Sequence, residues 1–414
     1  MTALELQGKA AKEAERVLSA AGTEQKNAAL EAIAAALLAR QADILAANGL
    51  DVAAGRENGL REALIDRLTL TEKRIADMAE GVRQVAAFPD PTGVVEKMEK
   101  RPNGLIIGKK RVSLGVIGII YEARPNVTVD AATLCLKAGN AVILRGGKEA
   151  FHSNNVLCTL MQDAVESVGL PRACVSLVQD TTRQSANELM TLTGYLDVLI
   201  PRGGAGLIRA VVENAKVPVI ETGVGNCHVY VDAEADLAMA AAIIENAKCS
   251  RPSVCNAAET LLVHRTVAER FLPVAAAELK KSNVELRGCP ETCAILPEAV
   301  PATEEDWDTE YGDYILAVKV VGSAEEAIGH IAAHGSGHSE AIVTTNYFTA
   351  QHFLDAVDAA AVYVNASTRF TDGSEFGLGA EIGISTQKMH ARGPMGINEL
   401  TSCKYIIYGE GQVR

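Results

Sequence analysis

The sequence predicts an α/β protein: a doubly wound parallel sheet followed by a second α/β unit. Three observations predict it. From residue 114 onward, short apolar runs recur between segments of helical period, and alternation of that kind builds parallel sheets with helices on both faces. The runs are almost continuously apolar rather than alternating, as in AVILRG at 141–146, which strands covered on both sides require. At 414 residues, 48% of them hydrophobic, the chain can fill two or three cores of ordinary size.

The elements follow in order. Over 4–21, 24–50 and 71–88 apolar residues fall at three- and four-residue intervals with charges between them, so these segments are read as packing helices. The character changes in KRPNGLIIGKKRVSLGVIGIIYEA at 100–123, where Asn103-Gly104 marks a hairpin turn before β-rich runs. The run 114–120 is read as the first buried strand, with further strands at 141–146, 175–178, 197–203, 217–223 and 228–232. Helices at 129–138, 153–168, 185–190 and 205–215 separate them. A second alternation has strands at 259–264, 314–321 and 340–345 and helices at 267–281 and 324–333. A Gly-rich tail from Arg369 closes on SCKYIIYGEGQ, a segment suited to pairing on another strand edge.

Composition excludes several classes. The net charge is −13 and aromatic residues make up 4%, so neither the basic field nor the stacking platform of a nucleic-acid partner is present. Any anionic ligand must be held by local cations. The nine cysteines are scattered, and the closest pair, Cys289 and Cys293, has no matching second pair. That is neither a zinc nor a disulfide framework, and a reducing cytoplasm is the expected setting. The N-terminus lacks an apolar core of the signal type, and no stretch approaches the ~20 apolar residues of a membrane-spanning helix. The expectation is a protein that is neither secreted nor membrane-spanning.

Cys255, in KCSRPSVCNAAETLLV at 248–263, is the most informative position. Pro252 turns Arg251 away from helical geometry, which sets the thiol near a break between a helix and the next element. A thiolate there gains from backbone N–H groups and from Arg251 or Lys248. The competing reading is an inert buried cysteine. Arg145-Gly146-Gly147-Lys148 ends a strand with small residues and two cations, a combination that admits a phosphate and equally describes a solvated basic turn. Gly203-Gly204-Ala205-Gly206 opens a helix, but Arg209 stands where GxGxxG needs its last glycine, and neither turn is a P-loop. His330, His334 and His338 recur every four residues. Gly335 and Gly337 end the helix before the third, so no metal is expected.

Longer segments carry a resemblance. GVIGIIYEARPNVTVDAATLCLKAGNAVILRGGKEA at 115–150 and VIETGVGNCHVYVD at 219–232 resemble the aldehyde dehydrogenase superfamily. VGSAEEAIGHIAAHGSGHSEAI at 321–342, with YEARPN, NASTRFTDG and EFGLGAEIGISTQ, is similar to the branch of that superfamily that reduces an acyl phosphate of glutamate. The resemblance implies an aldehyde dehydrogenase-like fold with NADPH as cofactor and glutamyl 5-phosphate as substrate. It implies reduction to the 5-semialdehyde with release of phosphate, the second step of proline biosynthesis from glutamate, with the upstream glutamate kinase as a partner. Cys255 is then the nucleophile that forms a thioacyl intermediate. Asn126 and the Cys255 backbone N–H are the oxyanion donors, although an Asx-turn before the helix is the other reading of Asn126.

Cofactor contacts are expected from Arg145, Gly146, Gly147, Lys148, Gly203, Gly204, Glu221 and Glu310. The two cations of the Arg145 turn favour NADPH over NADH. Glu221 stays open between a cofactor-proximal and a structural role, since a reductase gains nothing from activating water. Arg124, Ser336, His338, Glu340, Ser367 and Arg369 are substrate candidates. The domains implied are 1–98, 115–230 and 353–384 for the cofactor, 231–352 for catalysis, and 99–114 with 385–414 as a hairpin and tail forming a homo-oligomer sheet. Another aldehyde or acyl-CoA dehydrogenase, or a non-catalytic scaffold of the same fold, remains the alternative.

Overall fold

The computed structural model describes Met1–Arg414, the side chain of Ala63 excepted. Helices α1 (Ala3–Leu18), α2 (Thr23–Ala39), α3 (Gln41–Glu57), α4 (Glu62–Leu68) and α5 (Glu72–Ala87) open the chain. A capping box between Thr2 and Glu5 starts α1, satisfying backbone donors that the first turn leaves over. The single helix expected at 24–50 is two, because Arg40 (φ −106°, ψ 25°) ends α2 and begins α3. Apolar spacing runs across that break, so periodicity could not locate it.

Next come β1 (Val95–Lys100), β2 (Ile106–Ser113), β3 (Val116–Tyr121), α6 (Pro125–Lys137), β4 (Ala141–Arg145), α7 (Phe151–Ser167), β5 (Val175–Leu177), α8 (Arg183–Met190), β6 (Val198–Arg202) and α9 (Ala205–Asn214). The second alternation comprises β7 (Cys227–Val231), α10 (Leu237–Cys249), β8 (Ala258–His264), α11 (Arg265–Lys280), β9 (Glu285–Gly288), α12 (Pro290–Ile295), β10 (Val300–Pro301), β11 (Ile315–Val321), α13 (Ala324–His334), β12 (Ser339–Val343), α14 (Tyr347–Ala356) and β13 (Ala361–Val364). Short strands β14 (Ile384–Ser385) and β15 (Gly393–Pro394) precede the final β16 (Thr401–Tyr408). The chain forms two units: Met1–Thr222 with Gly377–Gly383 and Met395–Arg414, and Gly223–Phe376 with Ile384–Pro394.

In the first unit the parallel sheet runs β5-β4-β3-β6. The chain steps outward from β3 to β5 and then returns to the far side of β3, so the connection reverses between β3 and β6 and a crevice opens beyond their carboxyl ends. Val116, Ile120, Ile143 and Leu199 of the sheet share a core with Leu4 and Ala11 of α1, each large side chain contributing about 1.5–3 kcal/mol by leaving water. A separate antiparallel sheet, β1-β2-β16, joins the hairpin to the tail within the same chain.

The second unit holds seven parallel strands in the order β10-β9-β11-β8-β7-β12-β13. Alternate residues face opposite layers. Val229 and Leu261 pack on α10 and α11 through Ile244 and Phe271. Tyr230 and Leu262 pack on α13 and α14 through Ile331 and Phe353.

Four expectations need correction. No strand forms over 217–223; a single bridge joins Val219 to Leu199, since Pro218 has no N–H to extend a ladder. The boundary expected at 230/231 lies at 222/223, because β7 is paired on both sides, with β8 and β12. Residues 353–376 stay with the second unit rather than returning to the first, because β13 pairs with β12. The tail is divided too: Ile384–Pro394 goes to the second unit, and only Met395–Arg414 joins the hairpin's unit. Among the described residues no helix is long and apolar enough to cross a membrane.

Candidate active site

In the first unit the candidates gather beyond the carboxyl ends of strands. After β3 the chain turns through 122–124 into α6. Arg124 is the N-cap, without a side-chain capping bond, and Pro125 occupies the first turn, where its missing N–H costs nothing. Asn126 is therefore inside the helix, not an Asx cap before it. Its exposed Nδ2 donates to Asp130 Oδ2 at 3.1 Å, one turn on. Burial pushes the Asp130 carboxyl up to about 6, against the lowering effect of Asn126 and Arg202.

Beyond β6, a side chain at Gly203 would lie 2.7 Å from the Glu122 carboxyl carbon, and the Gly204 N–H donates to Glu122 Oε2 at 3.2 Å. Gly204 is the N-cap of α9, and around both Gly204 and Gly206 the space is open. Donors at a helix N-terminus with open space before them suit an anionic group such as a dinucleotide's diphosphate. The turn after β4 differs from its sequence reading. Arg145 Nη2 donates to the carbonyls of Thr181 (2.7 Å) and Thr182 (2.9 Å), so its guanidinium braces the loop after β5. A side chain at Gly146 would collide with Asn154, and one at Gly147 with Glu149 and the Glu122 backbone. Packing against buried Asn154 demands the glycine at 146, whereas at 147 the close contact is with the movable end of the Glu149 side chain. Lys148 is the exposed cation of the turn. Glu221 is half-buried near the end of the unit.

In the second unit the candidates lie at the amino ends of strands. Cys255 is half-buried in the loop between α10 and β8. The next residue, Asn256, is buried; its Nδ2 donates to the carbonyls of Arg369 (3.2 Å) and Thr371 (2.9 Å), and its own carbonyl accepts from Thr368 Oγ1 at 2.6 Å. Arg369 donates through Nε to Ser250 Oγ at 3.0 Å and through Nη1 to Asn256 Oδ1. Ser367 accepts from the Arg369 N–H at 3.3 Å and caps the short turn 368–370. Segment 367–371 is thus stitched around the Cys255 loop.

The approach to β7 closes on the same loop from the other side. A side chain at Gly225 would overlap the carbonyl group of Cys255, so only glycine fits. The Gly225 N–H donates to Glu310 Oε1 at 3.2 Å, and the Asn226 N–H to Ser336 Oγ at 3.0 Å. Asn226 Nδ2 ties Trp307 and His334 carbonyls at 2.7 and 2.8 Å. Cys227 Sγ donates to the Cys255 carbonyl at 3.1 Å and lies 3.7 Å from His338 Nδ1. Cys255, Glu310, Ser336, His338, Ser367 and Arg369 are therefore brought together.

Two residues are placed otherwise than expected. Glu340 is not open to a substrate: it is fully buried on β12 opposite His228 of β7, accepting from the His228 N–H at 2.8 Å and lying 2.9 Å from its Nδ1. Lys248 is spent on Glu259, at 2.6 Å with both side chains buried. Burial pushes the Glu259 carboxyl up to about 7 and depresses Lys248, while each partner's charge opposes the shift. Of the two cations flanking the thiol in sequence, Arg251 is the exposed one.

The histidines do not share a helix face, because Gly335 caps α13 and His338 lies just before β12. Among the described residues no group of three or more His, Cys, Asp or Glu could hold a metal. His330 packs edge-on against His228 and Trp307 with ring centroids 5.5 Å apart. Burial drives its pKa down to about 2, with His228, Lys319 and His334 acting in the same direction. Gly225, Asn226, Asn256 and Thr371 were not found from sequence. Their types carry no chemistry of their own, and the signals they left were only a GVGN run and an Asn directly after the thiol.

A model of the aldehyde dehydrogenase family matches residues 3–293. A protein of Carboxydothermus hydrogenoformans named gamma-glutamyl phosphate reductase is 65% identical over 406 residues, 98% of each chain. One of the same name from Moorella thermoacetica is 65% identical over 414 residues, covering 100% of this chain and 99% of the relative. The crystal structure of gamma-glutamyl phosphate reductase from Thermotoga maritima superimposes with a TM-score of 0.97 at 51% identity over 100% of both chains.

Proposed function

The chain belongs to the aldehyde dehydrogenase family and, within it, to the gamma-glutamyl phosphate reductases, and we propose that it reduces L-glutamyl 5-phosphate to L-glutamate 5-semialdehyde with NADPH, releasing phosphate. The observation that carries this reading is identity of 65% to proteins of that name along the whole chain. The half-buried Cys255, clamped by Gly225 and Asn256, supports it as the nucleophile.

The Cys255 thiolate attacks the acyl carbon, the bond from that carbon to the phosphate oxygen breaks, and the electron pair leaves with phosphate. A bound nicotinamide cofactor supplies the hydride that reduces the resulting thioester. The resulting tetrahedral oxyanion then collapses, an oxygen lone pair forming the aldehyde C=O while the carbon–sulfur pair returns to Cys255. Asn126 is assigned as the side-chain donor to the tetrahedral oxyanion, its orientation maintained by Asp130. The N-terminus of α9 at Gly204 is assigned to the cofactor's diphosphate, and exposed Lys148 to the phosphate that distinguishes NADPH from NADH. Glu310 orients the Gly225 backbone. Glu221 has a structural or cofactor-proximal part and no role as a base, since water activation would waste the thioester.

A cytoplasmic setting, supply of the labile acyl phosphate by an upstream glutamate kinase, and a homo-oligomer built on the β1-β2-β16 sheet complete the proposal. Exposed Met98, Tyr405 and Ile407 on that sheet support the last of these. The deciding experiment is NADP⁺ reduction by glutamate 5-semialdehyde with and without phosphate. Strict phosphate dependence is expected; phosphate-independent or CoA-dependent oxidation overturns the reading in favour of another aldehyde or acyl-CoA dehydrogenase.

A further inference from the structure

The Cys255 loop is bracketed by two cations that have no carboxylate partner. Arg369 bonds Ser250 Oγ and Asn256 Oδ1, one acceptor before the thiol and one after it, and both are neutral. Arg251 is exposed on the loop itself. Among the described residues neither arginine has a carboxylate oxygen within 4.0 Å, whereas Arg172, Arg265, Arg287 and Arg392 each do. A half-buried guanidinium held only by neutral oxygens keeps its full charge available to an incoming anion, and its planar fork fits the oxygens of a phosphate.

We propose that Arg369, assisted by Arg251, is the phosphate site of the reaction, receiving the leaving group as Cys255 bonds to the acyl carbon. This rests on the reaction proposed above. It narrows Arg369 from a general substrate candidate to the reacting end of the substrate. Electrostatics agree: burial lowers the Arg369 pKa, Arg251 lowers it further, and Asp372 and Cys255 raise it, so guanidinium and thiolate lie within each other's field. The same positive pair favours the thiolate form of Cys255. In the chemical step the thiolate's pair forms the carbon–sulfur bond, and the pair of the broken carbon–oxygen bond goes to phosphate, whose added negative charge the two arginines meet.

The test compares wild type with R369Q, R369K and R251Q in the reverse direction, NADP⁺ reduction by the semialdehyde at varied inorganic phosphate. The alkylation rate of Cys255 by iodoacetamide is followed against pH in parallel. R369Q is expected to raise the KM for phosphate by roughly ten- to a hundred-fold, the loss of one charge-assisted contact, with the KM for semialdehyde nearly unchanged. Its alkylation profile shifts to higher pH. R369K recovers part of both effects, because it restores charge without the fork, and R251Q moves both in the same direction by less. If R369Q raises the semialdehyde KM and leaves the phosphate KM alone, Arg369 serves the amino-acid end and the proposal falls. An unchanged phosphate KM in both R369K and R251Q overturns it even where R369Q does not fold. A wild-type enzyme indifferent to phosphate overturns instead the reaction on which the proposal rests.

Discussion

The candidate residues of the two α/β units lie at opposite ends of their strands. In the first, Asn126, Lys148 and Gly204 lie beyond the carboxyl ends of β3, β4 and β6, where reversal of the connections opens a crevice and helix N-termini offer N–H groups. In the second, Cys255, Cys227 and His338 lie at the amino ends of β8, β7 and β12. There the side chains are held by contact, with Gly225 packed on the Cys255 carbonyl and Asn256 bonded into 369–371. The fold class is shared, yet it does not dictate which edge of a sheet carries chemistry. Topology selects the edge when a ligand needs backbone dipoles; local packing selects it when one atom must be positioned.

That contrast can be broken by substitution. The largest effect is expected from Cys255→Ala, which removes the proposed nucleophile: reductase turnover should fall by more than about 10³-fold, while NADPH binding, read by fluorescence titration, persists. A variant that kept turnover would end the assignment. Asn126→Ala should lower kcat by roughly 10²–10³-fold with little change in KM, as loss of an oxyanion donor does; steady-state kinetics on the folded variant decide it. Gly225→Ala should cost about 10²-fold in kcat by displacing the thiol, with circular dichroism and NADPH affinity like wild type. Comparable loss of cofactor binding would mean that the two units are not separable in this way.

Lys148→Ala should raise the KM for NADPH about tenfold and leave that for NADH alone. The smallest effect concerns acid stability. His330 has a folded pKa near 2 against an ordinary 6.5, so the unfolded chain binds a proton that the folded one refuses. The stability gained by keeping it neutral is fully present above pH 6.5 and declines as pH falls below that, by at most about 1.4 kcal/mol per pH unit. His330→Gln should therefore lose less stability than wild type between neutral and mildly acidic pH in urea titrations. His228, His334 and Lys319 still face the site. An equal loss in both proteins would show that His330 is not the sensor.

Much of the first unit was legible because its signals are local. Apolar runs at 141–146 and 197–203 became β4 and β6 nearly as drawn, since such strands are recognised by what they bury. The run 217–223 misled because its composition is strand-like while Pro218 withholds the hydrogen bond that a ladder needs. Cys255 could be proposed from sequence because thiol chemistry is carried by residue type. Gly225 could not, because its importance lies in a space defined by residue 255, and no single-chain pattern records a contact between positions thirty residues apart. Glu340 and Lys248 were misread for a related reason: a charged residue looks available in sequence, and only its buried partner, His228 or Glu259, shows it to be spent.

The missing methyl group at Gly225 has a use beyond this chain. Because a single added carbon there would occupy the Cys255 carbonyl, the position is a one-letter diagnostic for genomic sequences of this kind. A relative with alanine or serine at the corresponding place must seat its thiol differently, and transferring an activity to it from overall similarity alone would be unsafe. Library design gains the same rule in reverse: position 225 is to be left unrandomised while substrate-facing segments are varied around it.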